Sequence, residues 1–466
     1  MDIIVRNGMI VTPEGKFKGD IAISDGKVKA ITECGVLQKA EKEIEAEGCY
    51  VVPGAIDTHT HIEEEFMGVK PHETWTQATR NAAVGGVTCV MNFINQAPGT
   101  SMVKTVEMEL ERVNKLTCID YALHPIFIDY SDNDAVVGEL ATLKEMGIPS
   151  VKAFTVYDQA GFADDYSIYR LMRELKKLGG VIGVHAENKS LTEQIQNEFI
   201  SRGETGAEYY AATKPAIVEA EATRRICMLA EATGCNTYIV HMAAKEAVDI
   251  VSEYRKRNLP IYGEACSHYI MFNDDVYKEP FGFREFITPP LRKAEDQERL
   301  WKGIREGDVN IIGSDHCPYG KDAKDEGYAR SGFTDVAYGG VSLLENVPVL
   351  FAEGVLKGRI SAERFVEITS TNPAKMFGLY PKKGTLSPGS DADLVIYDPN
   401  KKVKLGTAMY DNVDWTAYEG YEIQGFPTVT IQRGKVLVEN ETFYGNAGEG
   451  KFVKGEIDEQ IFATIR

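Results

Sequence analysis

The chain has 466 residues, 43% of them hydrophobic and 26% charged, with 51 Lys+Arg against 70 Asp+Glu, so that 51 − 70 gives a net charge of −19. That length excludes a disulfide-stapled mini-domain and suggests about two to three domains, or one large barrel with an accessory domain. The composition is that of an ordinary globular protein, and no basic face stands out of the kind a nucleic-acid backbone requires. The eight cysteines (34, 49, 89, 118, 227, 235, 266 and 317) form no CxxC pair. Buried, reduced thiols are therefore expected. There is no basic segment leading into a long apolar run at the start of the sequence. No run approaches about 18 uncharged apolar residues. A cytoplasmic protein without a secretory signal or membrane span is expected.

In chain order, the first fifty residues read as short β. Ile3–Arg6, Met9–Val11, Asp20–Ser24 and Lys27–Ile31 cluster apolar residues around turns such as Asp25-Gly26. From about residue 50, apolar runs alternate with helical spacing. The predicted strands are Tyr50–Ile56, Val87–Phe93, Ile119–Leu123, Ser150–Ala153, Gly180–Val184, Thr237–Val240, Pro260–Gly263 and Val309–Ile312. Between them, helices are predicted over Glu73–Val84, Val103–Leu116, Asp134–Met146, Asp165–Leu178, Val218–Thr233, Lys245–Arg257 and Ala294–Glu306. Gly147, Gly179 and Gly234 stand where helices end. Eight strand–helix units imply a parallel sheet closed into a (β/α)8 TIM barrel. A doubly wound sheet would want a glycine-rich turn after the first strand, and Asp57–His61 is nothing like one. After residue 378 the β texture returns, in Gly389–Tyr397, Thr428–Gln432 and Lys435–Val438. The expected organisation is a small β-sandwich domain built from both chain ends (1–52 and 379–466) flanking a barrel over 53–378. The polar stretch Glu449–Arg466 reads as an arm or a frayed end.

A barrel places its chemistry where strands end. The first strand ends in Asp57-Thr58-His59-Thr60-His61, and two histidines at i and i+2 on extended chain face the same side. The fourth carries Lys152, the fifth ends in His185, the sixth in His241 and the eighth in Asp315. A lone histidine at a strand end is more often a satisfied core or surface residue, and His124 and His268 read that way. Four of eight histidines at three strand ends, together with an aspartate, fit a divalent cation better than packing. Burying such groups unpaired costs about 1–3 kcal/mol each. Imidazoles and a carboxylate suit Zn²⁺ or a similar borderline metal. Lys152 is compatible with an anion contact, with a neutral amine depressed by burial, or with a carboxylated, anionic side chain.

These residues resemble the cyclic-amidohydrolase branch of the amidohydrolase superfamily, most closely the dihydropyrimidinases and D-hydantoinases. The matching stretches are 54–61 (GAIDTHTH), 151–157 (VKAFTVY), 184–188 (VHAEN), 238–241 (YIVH), 288–292 (TPPLR), 313–318 (GSDHCP) and 389–394 (GSDADL). They run through nearly the whole chain in the family's order. The resemblance implies two divalent metal ions, Zn or else Mn, Fe, Co or Ni, bridged by carboxylated Lys152. His59, His61 and Asp315 would hold one ion, and His185 and His241 the other. It further implies a homotetramer or homodimer, with the carboxy-terminal arm as a candidate contact. The implied reaction is attack of a metal-bridging hydroxide on a ring amide, opening hydantoins or dihydropyrimidines to N-carbamoyl amino acids. Asp315 would move the proton and Tyr157 would stabilise the oxyanion.

Departures from the family pattern sharpen the expectation. Thr288 replaces a serine where main-chain atoms read the ring, and Gly339 stands where the family usually has Asn. Met-Ala-Ala follows His241 in place of a serine-containing sequence. Glu64 occupies a position that is usually apolar in hydantoinases, which reads either as a solvated acidic loop or as a wall selecting a small, polar or cationic substituent. Allantoinases usually lack a tyrosine at the Tyr157 position. Dihydroorotases carry an Arg shortly after His-x-His, where this chain has Ile62 and Glu63. Both features favour the hydantoinase–dihydropyrimidinase group. Non-catalytic scaffold relatives have lost ligand positions that this chain keeps, and a metal-storage or sensing protein gives Asp315 and Tyr157 no role.

Overall fold

Two sheets organise the molecule, and they meet at Gly54. The structure, a computed structural model, describes residues 1–65 and 68–465. Phe66, in the acidic loop after His61, and Arg466, at the end of the polar stretch, lie outside the described residues. The amino-terminal strands are β1 (Ile3–Thr12), β2 (Gly15–Ser24), β3 (Lys27–Thr32), β4 (Lys42–Glu45) and β5 (Tyr50–Pro53). The barrel strands follow: β6 (Ala55–Thr60), β7 (Val87–Asn95), β8 (Asp120–Ile126), β9 (Ser150–Phe154), β10 (Val181–His185), β11 (Asn236–Ile239), β12 (Ile261–Cys266) and β13 (Ile311–Gly313). The last strands are β14 (Leu394–Lys404), β15 (Glu422–Gln432), β16 (Lys435–Glu439) and β17 (Thr442–Phe443).

Strands β6 to β13 pair in parallel in sequence order. The ring is completed by contacts just beyond β13, two between main chains and one to a side chain. Thr60 and His316 form a parallel bridge, His61 N donates to His316 O at 2.9 Å, and Ser314 N donates to Asp57 Oδ1 at 3.0 Å. The other sheet runs β17-β16-β15-β14-β5-β1-β2-β3, with β4 on β1, and so draws on both chain ends. It is mixed: β1 pairs with β4 and β5 in parallel and with β2 antiparallel.

The continuous strand expected over Tyr50–Ile56 is two strands in different sheets. A Cβ at Gly54 would lie 2.2 Å from Thr88 Oγ1, so only glycine passes this crossing. On either side, period-2 alternation shares each strand between two cores. Val51, Leu394 and Ile396 enter the sheet's own cluster, while Val52, Val395 and Tyr397 pack into the barrel's.

Helices fill the crossovers close to the predicted spans, and Asp165–Leu178 and Ala294–Glu306 coincide with them. Asp164 caps the former by accepting from Ser167 N at 2.8 Å, and Gly179 ends it in the left-handed region at φ 67°. The helices Lys189–Ser201 and Lys321–Ser331 were not anticipated. The first spaces Leu191, Ile195 and Phe199 along one face but leaves them half-buried and buries Thr192 alone, and the second carries no apolar stripe and buries Lys324 and Gly327. The carboxy-terminal stretch is neither frayed nor free. Val453 N donates to Tyr121 O and Gly455 N to Gly147 O, both at 2.8 Å, and Phe462 and Ile465 are buried beneath the barrel. Among the described residues no helix is long and apolar enough to cross a membrane.

Candidate metal centre and active site

The carboxyl ends of five barrel strands converge on one point. His59 lies in β6 with His61 just past it, Lys152 lies in β9, His185 ends β10, and His241 and Asp315 follow β11 and β13 by two residues. All are buried except the half-buried His61. His59 Nε2 and His61 Nε2 stand 3.1 and 3.5 Å from Asp315 Oδ1. Ligand atoms of these three residues all lie within 4.8 Å of one another. The His59 and His241 rings are 5.3 Å apart, and those of His185 and His241 are 4.5 Å apart. Lys152 Nζ sits 3.0 Å from His59 Nε2, over the Phe93 ring at 4.1 Å. Glu64, Tyr157, Thr288 and Gly339 line the same cleft. His124 and His268 stand apart from this cleft: His124 Nδ1 meets Ser150 Oγ at 2.5 Å, and His268 packs on Tyr269.

Carboxylates behind the histidines fix their rings. Glu264 Oε1 lies 2.5 Å from His59 Nδ1 and accepts from His241 N at 3.0 Å. Glu187 Oε2 lies 2.7 Å from His185 Nε2, and Glu64 Oε2 lies 2.6 Å from His61 Nδ1. Such partners orient an imidazole and raise its basicity toward a metal. Burial works against the His59 imidazolium, but Glu264 and Asp315 hold it above the ordinary value. Burial lowers His185, Lys152 and, furthest, His241. Burial also opposes the Asp315 carboxylate, which His59, His61 and His241 nevertheless keep ionised well below the usual range. His241 Nδ1 is buried without a hydrogen-bond partner.

Backbone strain gathers here. Tyr157, His241 and Asp315 adopt φ of 63°, 37° and 50°, the left-handed region that side-chain-bearing residues avoid. Such conformations cost on the order of 1–3 kcal/mol each and persist where the surroundings enforce them.

In the acidic loop after His61, Glu63 and Glu64 are packed while Glu65 is exposed. Glu63 accepts from Trp75 N at 2.8 Å and pairs with Arg112, and the Glu64 side chain is 8% exposed. At Gly339 a Cβ would lie 2.3 Å from Cys317 Cβ, which accounts for glycine at this position. Its N–H donates to Phe286 O at 2.9 Å. Thr288 Oγ1 donates to Glu187 Oε2 at 2.8 Å and also meets Tyr157 Oη at 2.8 Å. The Ala243 and Ala244 amides beyond His241 donate to Glu219, itself paired with Arg292 at 3.0 Å.

Three residues were missed as participants. Glu264 lay past the predicted end of its strand, although an acidic residue inside the run Ile261–Cys266 was a visible signal. Glu187 lay inside a matching stretch without a role. Lys214, buried beside Tyr157 and Thr288, comes from a segment with no signal of its own.

A second buried acidic group, Asp120, Asp391 and Asp393, also gathers three carboxylates. It encloses Lys383, whose Nζ lies 2.5, 3.0 and 2.6 Å from them.

Comparison with known proteins places this architecture. The amidohydrolase family profile matches residues 50–437. A D-hydantoinase from Ralstonia pickettii is 37% identical over 458 residues, covering 97% of this chain and 99% of the relative. A solved D-hydantoinase structure superposes with a TM-score of 0.94 at 36% identity, over 98% of this chain and 99% of that one. A dihydropyrimidinase from Brevibacillus agri NCHU1002 does so with a TM-score of 0.94 at 34% identity, over 98% and 100%.

Proposed function

The chain belongs to the amidohydrolase family, and from that premise we propose that it is a metal-dependent hydrolase that opens cyclic amides and ureides, hydantoins and dihydropyrimidines, to N-carbamoyl amino acids. The observation that carries this reading is the meeting of His59, His61 and Asp315, ligand atoms within 4.8 Å, at the carboxyl face of a parallel barrel. The donor set fits divalent ions. Buried imidazoles are held neutral by burial at His185 and His241, a carboxylate is held ionised, and His241 keeps an orphaned ring nitrogen. Zn²⁺ suits nitrogen and carboxylate ligands best, though Mn, Fe, Co and Ni accept them.

In this reading His59, His61 and Asp315 would hold one ion, His185 and His241 would hold a second, and Lys152, as its carbamate, would supply anionic oxygen ligands to the centre. A buried ammonium among imidazoles would repel a cation. Burial favours the neutral amine, which adds CO₂ and releases a proton to give an anion with two oxygens. When bound, the ions supply Lewis acidity, polarising a carbonyl and bringing the pKa of water toward about 7.

The protein's own groups do the rest. Asp315, kept ionised, accepts a proton from the attacking water and returns it to the departing ring nitrogen. Tyr157 donates its O–H to the carbonyl oxygen as that atom gains charge. Main-chain atoms of Thr288 and Gly339 position the ring. Glu64, 2.6 Å from His61 Nδ1 and on the cleft wall, disfavours a bare aryl substituent and favours a small, polar or cationic one. The eight cysteines are unpaired, which suits a reducing, cytoplasmic setting. Self-association as a homodimer or homotetramer belongs to the same reading.

The test is ring opening by metal-loaded protein on dihydrouracil, hydantoin, phenylhydantoin, a hydantoin with a cationic substituent, allantoin and dihydroorotate. Turnover of the first four, with the cationic hydantoin preferred over phenylhydantoin and the preference relaxed in Glu64→Leu, is expected. Activity confined to allantoin or dihydroorotate would overturn the choice of ring. Silence across the panel with metal bound would point to a non-catalytic scaffold.

A further inference from the structure

Tyr157 has a cation behind it. Lys214 links the short helix Tyr210–Thr213 to the helix Ala216–Thr233 and is fully buried. Arg292, held by Glu219 at 3.0 Å, donates to the Lys214 carbonyl and so pins its backbone. Lys214 Nζ meets Tyr157 Oη and lies 2.6 Å from Thr288 Oγ1 and 3.7 Å from Glu187 Oε2. The Tyr157 and Tyr338 rings flank it at 4.8 and 4.9 Å.

The direction of the hydrogens follows from what each group can do. An ammonium donates and cannot accept, so the phenol oxygen accepts from Lys214. Thr288 Oγ1 gives its own hydrogen to Glu187. The Tyr157 hydrogen therefore points away from Lys214, toward Thr288 or the cleft. Tyr157 and Thr288 line the cleft, whereas Lys214 stands behind them. Burial lowers Lys214 to about 8, which leaves it predominantly charged at neutral pH.

We propose that Lys214 is a positioning residue that acts through Tyr157. It turns the phenolic proton toward the reacting carbonyl and, as a positive charge behind the phenol oxygen, strengthens that donor as the carbonyl oxygen becomes negative. This rests on the ring-opening reading above. It adds a residue with no part in holding metal or contacting substrate.

The experiment is a double-mutant cycle on the metal-loaded full chain, with Lys214→Gln and Lys214→Arg each made in the wild-type and Tyr157→Phe backgrounds. Metal content is measured alongside kcat and KM. Lys214→Gln should lower kcat about 10- to 100-fold with KM within about threefold and metal unchanged. In the Tyr157→Phe background the same change should cost less than about threefold more. Lys214→Arg keeps the charge but displaces the donor, so its kcat should lie above that of Lys214→Gln and several-fold below wild type. If Lys214→Gln does not fold, Lys214→Arg carries the cycle, since its displaced donor should still lower kcat several-fold with tyrosine present and not without it. Equal losses in both backgrounds, or a raised KM at constant kcat, would overturn the assignment while leaving the ring-opening reading intact. A wild-type protein inert on every ring would overturn both.

Discussion

Two buried regions bring three or more ionisable side chains together, and they are resolved in opposite ways. Asp120, Asp391 and Asp393 surround Lys383, and Lys27 and Arg433 add further cations at 2.6 and 2.5 Å. Three carboxylates there meet three cations contributed by the protein, at the seam between barrel and flanking sheet. At the mouth of the barrel, His59, His61, His185, His241 and Asp315 converge while a ring nitrogen of His241 is left unpartnered and strained backbone is retained at Tyr157, His241 and Asp315. Acidic clustering therefore does not by itself mark a binding site. The two regions differ in that the carboxylates around Lys383 meet the protein's own cations, whereas the barrel mouth keeps a buried ring nitrogen of His241 without a hydrogen-bond partner.

The comparison can be broken by mutation at either end. The largest effect is expected from His59→Ala, which removes one of the three residues proposed to hold the first ion. Bound divalent metal should fall well below wild-type stoichiometry by elemental analysis, and kcat/KM should drop about a thousandfold or more. Lys383→Met leaves buried carboxylates uncompensated. It should lower unfolding free energy by about 3–5 kcal/mol in denaturant titration while metal content stays at the wild-type level. The pH dependence of that difference has a fixed sign. Burial opposes charge on Lys383, but Asp393, Asp120 and Asp391 raise its folded value well above the ordinary one. The contribution is therefore complete below the ordinary lysine pKa of about 10.4 and is lost only as pH rises through the folded value. The stability gap between wild type and Lys383→Met should stay constant from pH 7 to about 10, and a gap that closed below that range would contradict the assignment.

Tyr157→Phe should leave metal content and melting temperature alone and lower kcat by about 2.7–4 kcal/mol of barrier, the usual weight of one oxyanion donor. The smallest effect is expected at Glu264→Gln, which keeps shape and removes charge behind His59. Metal affinity, read by competition with a chelator, should weaken about 10- to 100-fold.

The barrel was legible because each strand–helix unit carries its own period. Asp165–Leu178 announced itself by an apolar stripe, a capping aspartate and a terminal glycine. Lys321–Ser331, which has no stripe, gave no such signal. The break at Gly54 was hidden because an apolar run looks the same whether it feeds one sheet or two. The residues gathered at the barrel mouth could be named because strand ends are visible in sequence. Their supporting shell could not. Glu264, Glu187 and Lys214 come from three separate segments, and their proximity is a product of closure, which no local pattern encodes. The stretch 389–394 matches the family alongside the others, and its Asp391 and Asp393 sit in the lysine-centred seam rather than the cleft.

The pairing of β5 with β14 has a consequence for biosynthesis. Val52 lies opposite Val395, and Tyr50 opposite Tyr397, so β5, which pairs with β1 on one side, finds its neighbour on the other only when the chain is nearly complete. At about 5–20 residues per second, the ribosome needs on the order of tens of seconds to make the intervening barrel. Through that interval the edge of β5 is unsatisfied and its apolar faces lack one partner. The nascent protein must therefore pass through a stage in which an open strand edge is available to any other chain, and chaperone protection would matter most there.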